Sequence, residues 1–172
     1  MTTLERDDDG HLVATLHAYE VQAITVVATD VRDLLREPPA ANPVSARLFP
    51  NAYSDPTEDA AEREWQEMVH PDLAGKKIAG LDEIVTLLGR GRTAGDLVRV
   101  VLDAEQEELL LGTVNDLRLA LGAALGITAD TDFDDLEEGP GALYEWLGMF
   151  EERLVQLLLD DFPDMPPDDD GE

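Results

Sequence analysis

Residues 103–126 read DAEQEELLLGTVNDLRLALGAALG, and this stretch decides the fold. Leu110, Val114, Leu117, Leu121 and Leu125 recur at the spacing of one helical face. Leu109, Leu111 and Leu119, with the small residues Gly112, Ala120, Gly122 and Ala123, carry apolar surface round to other faces. A helix that is apolar on several sides has to be covered on several sides, which places this one at the centre of the molecule. Its ends are marked as well. Asp103 and Gln106 have the spacing of a capping box, and Gly126 stands where a left-handed C-terminal residue is wanted. One polar run, Asn115-Asp116-Leu117-Arg118, interrupts the apolar surface.

Working outward, LVRVVL at 97–102 has the composition of a short strand running into the central helix, and GRGRTAG at 89–95 reads as the loop before it. The same arrangement occurs earlier in the chain. HLVATLH at 11–17 has strand character, and the run from Tyr19 to Arg36 carries Val21, Ile24, Val27 or Ala28, Val31 and Leu35 at helical spacing. Sliding the sequence by 86 residues aligns Leu16 with Leu102, Ala18 with Ala104, Asp30 with Asp116, Arg32 with Arg118 and Leu35 with Leu121. The two strands are expected to pair with each other, since a lone strand leaves its backbone groups unsatisfied.

The remaining segments cover the central helix. Pro38 and Pro39 stop the first helix, and Pro43 to Phe49 has room for a short helical turn. Asp55-Pro56 opens a helix to about Val69, and Pro71-Asp72 suggests a restart to about Leu88 through Leu73, Ile78, Leu81, Ile84 and Val85. ITADTDFDDLEEGPG at 127–141 reads as an acidic loop. Ala142 to Leu159 forms an amphipathic lid, with Leu143, Trp146, Leu147, Phe150, Leu154, Leu157 and Leu158 on one stripe. The predicted architecture is mainly α: a single-domain helical bundle around a buried central helix, residues 11–159, with a minor two-stranded β element. Residues 1–10 are expected to be a flexible acidic N-terminus and residues 160–172 a disordered acidic tail.

Composition excludes several kinds of chemistry. The 172 residues contain no cysteine, which removes disulfides, thiolate metal sites and cysteine nucleophiles. The formal net charge of −27 repels phosphate backbones, so nucleic acid is an unfavourable partner and a protein with a basic surface a favourable one. No apolar run is long enough for a membrane span and the acidic first residues make no signal peptide, so a cytoplasmic protein is expected.

Motifs with reactive potential are few. Asp130, Asp132 and Asp134 have the alternate spacing that opens a calcium loop, but Asp135 stands at the glycine position and Gly141 at that of the bidentate acid. No metal or cofactor is expected. Lys76 and Lys77, with Arg90 and Arg92 among Gly89, Gly91 and Gly95, make the one basic neighbourhood, a candidate contact for an anion or a nucleic acid. Ser45 and Ser54 lie in proline-containing loops. Of the three histidines, His11, His17 and His70, His17 sits where a helix cap belongs and His70, beside Pro71, reads as a boundary residue. Polar groups within an apolar helix are paired or turned outward. Asn115, Asp116 and Arg118 are therefore candidates for a structural or partner-contact cluster, with Arg118 reaching carboxylates on a covering helix.

The chain resembles an actinobacterial family known as a domain of unknown function, some of whose members bear the label of oxidative-stress transcriptional regulators. Asn115-Asp116-Leu117-Arg118-Leu119-Ala120-Leu121-Gly122 carries the resemblance, with Arg47-Leu48-Phe49-Pro50, Ala52-Tyr53, Asp55-Pro56, Tyr144, Trp146-Leu147 and Leu154-Val155. The resemblance implies a small, mostly helical cytosolic protein with a regulatory role and brings no catalytic residues. A chain without cysteine cannot sense oxidants by thiol chemistry, and its charge makes a protein contact, with a sigma factor or polymerase, a more economical route to transcription than operator binding. The expected function is a non-enzymatic regulatory or adaptor protein. The alternatives are a DNA-binding regulator using residues 76–99 and a small enzyme of unrecognised chemistry.

Overall fold

A computed structural model of the chain describes residues 1–37, 42–50, 59–131 and 139–160. In chain order the elements are β1 (Thr3–Arg6), β2 (Leu12–His17), α1 (Ala18–Arg36), α2 (Pro43–Leu48), α3 (Asp59–Gly89), β3 (Arg92–Ala94), β4 (Leu97–Leu102), α4 (Ala104–Ala124) and α5 (Pro140–Asp160). The fold is mainly α, with a small antiparallel sheet.

The central helix forms where the sequence places it. The Asp103 carboxylate accepts the Gln106 backbone N–H at 2.9 Å, and the Gln106 side chain accepts that of Asp103 at 3.1 Å, closing the capping box at the start of α4. At the other end Gly126 takes φ +67°, a value that costs a side-chain-bearing residue strain, and Ile127 N–H reaches the Gly122 carbonyl at 2.8 Å. Between these caps Leu117 is fully buried, and Leu110, Val114 and Ala120 nearly so. α2, α3 and α5 pack round it, α1 and β4 complete the cover, and among the described residues Glu105, Glu108 and Gly112 mark a side that faces water. Removing Leu117 back to alanine should cost about 2–5 kcal/mol, the range for a buried leucine whose neighbours cannot collapse into the space.

The two expected strands do pair: β2 and β4 run antiparallel from Leu12 opposite Leu102 to His17 opposite Leu97. The sheet is larger than the two-stranded element predicted, because β1 and β3 extend it to four strands in the order β1-β2-β4-β3. At four and three residues, both added strands are too short to show alternation, so their sequences read as an acidic lead and a loop. The first residues are thus not all a flexible lead: Thr3 to Arg6 is an edge strand in register with Thr15 to Leu12. Arg6 holds it down, donating to both Glu107 carboxylate oxygens at 2.5 and 2.7 Å. On the inner face Leu12, Ala14, Leu16, Val98, Val100 and Leu102 bury against the helices.

Ala14 lies opposite Val100, 86 positions further on, so the offset seen in the sequence coincides with a pseudo-two-fold axis through that pair. Each half is a hairpin followed by two packed helices, β1-β2-α1-α3 and β3-β4-α4-α5, with α2 inserted in the first. The β-branched residues that weaken α1 are accommodated locally, with the Thr25 hydroxyl donating to the Val21 carbonyl and Thr29 to Thr25, each at 2.7 Å.

A second departure concerns residues 59–89, where one continuous helix replaces the two expected on either side of Pro71. Proline leaves the carbonyl four residues earlier without its donor, at about 3 kcal/mol in a helix interior. Pro71 and Glu67 are both exposed, which leaves that carbonyl open to solvent, while Leu81, Ile84, Leu87 and Leu88 further along anchor the helix in the core. The expected helix opening at Asp55-Pro56 and the tail beyond residue 160 lie outside the described residues.

Candidate functional site

Asp116 and Arg118 stand two residues apart on α4, about 200° round a helix of 3.6 residues per turn, so they face different neighbours. Lys77 on α3 donates to Asp116 at 2.6 Å. Arg118 donates to Glu151 on α5 at 3.1 Å and lies 5.4 Å from the centre of the Tyr144 ring. Its Nε atom is buried without a hydrogen-bond partner, close to Gly148. Asn115 is half-buried beside them. The polar interruption in the central helix is thereby spent on tying α4 to α3 on one side and to α5 on the other.

The basic neighbourhood is divided. Lys76 and Lys77 line a shallow groove of about 410 Å³ between α3 and α4, facing Glu105, Glu108 and Asp116. Arg90 lies 13 residues beyond Lys77 along the chain, roughly 20 Å at 1.5 Å per helical residue, where α3 hands over to β3. Arg92 follows on that strand. The four cations expected to make one anion contact are therefore split between the middle of α3 and its C-terminal end, and the two lysines already face carboxylates.

A second groove occupies the pseudo-equivalent place. Where the first lies between α3 and the first turns of α4, this one lies between α5 and the first turn of α1. Trp146, Met149, Phe150 and Arg153 on α5 repeat the spacing of Leu73, Lys76, Lys77 and Gly80 on α3, so the fold repeats the groove and exchanges its chemistry. With a volume of about 600 Å³, it is walled by the Trp146 and Phe150 rings, stacked at 4.9 Å, and by His17 and Tyr19, stacked at 5.3 Å. Met1, Thr2 and Leu4 form its third side. Tyr19 is 67% exposed and Met149 62%, and both border this one groove.

At the floor of this groove, Glu20 is buried and fully used. Its carboxylate accepts the His17 backbone N–H at 2.7 Å and the Thr2 hydroxyl, closing the start of α1 as Gln106 closes that of α4. His17 takes the cap position its sequence suggested. The groove itself carried no motif. Its trace in the sequence was Tyr19 at the start of α1 and Trp146 and Phe150 within α5, in a chain with 5% aromatics.

The other reactive candidates are structural where they are described. His70 packs its ring on Phe49 at 4.3 Å, and the Ser45 hydroxyl is buried without a partner on α2. Asp7, Asp9 and His11 gather in the β1–β2 turn. There the His11 backbone N–H, 2.9 Å from the Asp7 carboxylate, holds that carboxyl below its ordinary value, with a smaller contribution from Asp9 N–H. Ser54, Asp132 and Asp134 lie outside the described residues. Among the described residues, no helix is long and apolar enough to cross a membrane.

Comparison with curated proteins and with solved structures finds no match. A family model does match, over residues 1–158, and the chain accordingly belongs to the family described as Domain of unknown function (DUF2017).

Proposed function

We propose that this is a non-enzymatic regulatory or adaptor protein that works by protein contact, and that the contact is made through the groove between α5 and the start of α1. The observation that carries the reading is the exposed pair Tyr19 and Met149 beside the half-buried Trp146 around that groove. Aromatic and methionine side chains left in water mark contact surfaces, because they bury much area on docking at little entropic cost. Glu145 and Glu152 flank Met149 on the exposed side of α5, within a surface of net charge −27. Charge complementarity therefore favours a partner with an apolar anchor set in a basic surface. A role in transcription through a sigma factor or polymerase, in the setting of oxidative stress, is the finer form of this proposal. It rests on the resemblance to regulators and on the cost of bringing so acidic a chain to DNA.

The DNA-binding alternative is weakened by the division of Lys76 and Lys77 from Arg90 and Arg92. The test is crosslinking in native cytosol with the wild-type chain and with Tyr19→Asp combined with Met149→Asp. Both sites are exposed, so the fold should survive, as circular dichroism will show. A basic protein crosslinked to α1 or α5 by the wild type and lost with the variant supports the reading. Equal recovery by the two chains refutes it.

A further inference from the structure

The β3–β4 hairpin carries an arrangement that the groove does not explain. Arg92 and Arg99 are directly opposite each other across the two strands. Like charges in that position destabilise a sheet. Arg90 follows from the end of α3 immediately before the hairpin, and all three side chains are exposed. Among the described residues none of the three has a carboxylate within ion-pair distance, although the chain holds 39 acidic residues against 12 basic ones and pairs Arg6, Arg32, Arg36, Lys77 and Arg118 with them. A cluster of unneutralised arginines in so acidic a protein is held open for a negative charge from elsewhere.

The backbone beside them is also open. Among the described residues β3 ends the sheet, with β4 on one side and no strand on the other. Gly95 and Asp96 make a two-residue turn, so Ala94 and Leu97 close it by exchanging hydrogen bonds, and Thr93, the next residue back, belongs to a non-bonded pair with Val98. The Thr93 N–H and carbonyl consequently point away from β4, toward the free edge. Gly91 fixes this geometry, since a Cβ there would meet Val98 Cγ1 at 2.4 Å and the strand must pass this close to the core.

We propose that the β3 edge is a docking site for an extended acidic segment of a partner protein, which adds as a fifth strand by bonding to Thr93 and sets carboxylates against Arg90, Arg92 and Arg99. Main-chain bonds supply affinity in such strand addition and alternate side chains supply specificity. A short acidic segment suits the site better than a nucleic acid does: beyond a screening length of about 8–10 Å the remaining charge of the protein repels a long polyanion. Paired with the groove, the site would let one small domain hold a basic partner and an acidic one together, but it stands or falls separately.

The test uses the full chain and a fluorescein-labelled peptide of alternating valine and glutamate, with the valine–lysine counterpart and a single-stranded oligouridine as the other probes. Anisotropy is read at about 50 and about 300 mM salt, bracketing the change in screening. The acidic peptide should bind and weaken with salt. Arg92→Gln with Arg99→Gln should weaken it roughly tenfold. Thr93→Pro leaves every charge in place and is tolerated at an edge whose N–H faces solvent; it should weaken binding by a comparable factor. Retained circular dichroism shows that each variant is folded. Failure of the acidic peptide to bind at low salt overturns the proposal, as does indifference to the arginine pair. Indifference to Thr93→Pro removes strand addition, and tighter binding of oligouridine through the same arginines assigns the hairpin to nucleic acid instead. None of these outcomes bears on Tyr19 or Met149.

Discussion

Truncating Arg6 to alanine tests how the sheet is held to the central helix. Its partner Glu107 has a side chain only 4% exposed and receives two bonds from the guanidinium of Arg6, whose side chain is 22% exposed. The replacement leaves a carboxylate buried against β1 with no counter-ion, and breaking a buried pair in this way costs about 3–5 kcal/mol. That penalty has a ceiling: once it exceeds the free energy of lifting β1 off the sheet, the strand detaches, water reaches Glu107 and the loss stops growing. Urea unfolding followed by far-UV circular dichroism gives the total, and amide exchange in residues 3–6 and 12–17 shows whether β1 has lifted. Arg6→Met with Glu107→Leu removes both charges and should recover most of the loss, since an apolar pair of similar volume needs no desolvation. If Arg6→Ala costs less than about 1 kcal/mol, the pair is behaving as a screened surface contact. The first residues would then be the loose acidic lead that their sequence suggests.

Three further outcomes are expected. Gly91→Ala places a methyl group against Val98 and Val100 and should destabilise the fold by about 1–3 kcal/mol in urea unfolding, the usual range for overpacking. Arg118→Lys should lose nearly as much as Arg118→Ala, about 1 kcal/mol for a partly exposed pair, because an ammonium cannot both reach Glu151 and lie flat over Tyr144. Asp7 should titrate by NMR below its ordinary value of 3.8, because the His11 N–H favours its charged form. A lowered folded-state value means that this contribution to stability is in place above the unfolded value and is lost as pH falls through the folded one. Asp7→Asn should flatten that part of the acid limb, and an unshifted Asp7 would remove the basis for it.

The central helix, its capping box, the Gly126 terminus, the paired strands and the final amphipathic helix were all legible in the sequence. Each is written in residues a few positions apart, through a period of 3.6 or 2 and the chemistry of chain ends. The offset between the two halves was legible for the same reason. Pro71 misled because the propensity of one residue was read without the anchoring supplied by Leu81, Ile84 and Leu88.

What the tertiary structure alone decided are the meetings of distant residues. Arg6 reaches Glu107 across 101 positions, Lys77 reaches Asp116 across 39, and two three- or four-residue strands become sheet edges only because β2 and β4 are already there to pair with. No local pattern encodes such contacts. They follow from packing helices on a sheet at a given register, and that packing also left Tyr19 beside Trp146 and Met149, and Arg92 opposite Arg99. The elements were fixed by short-range backbone and side-chain preferences, whereas the surfaces on which a partner would act were fixed by how those elements came together.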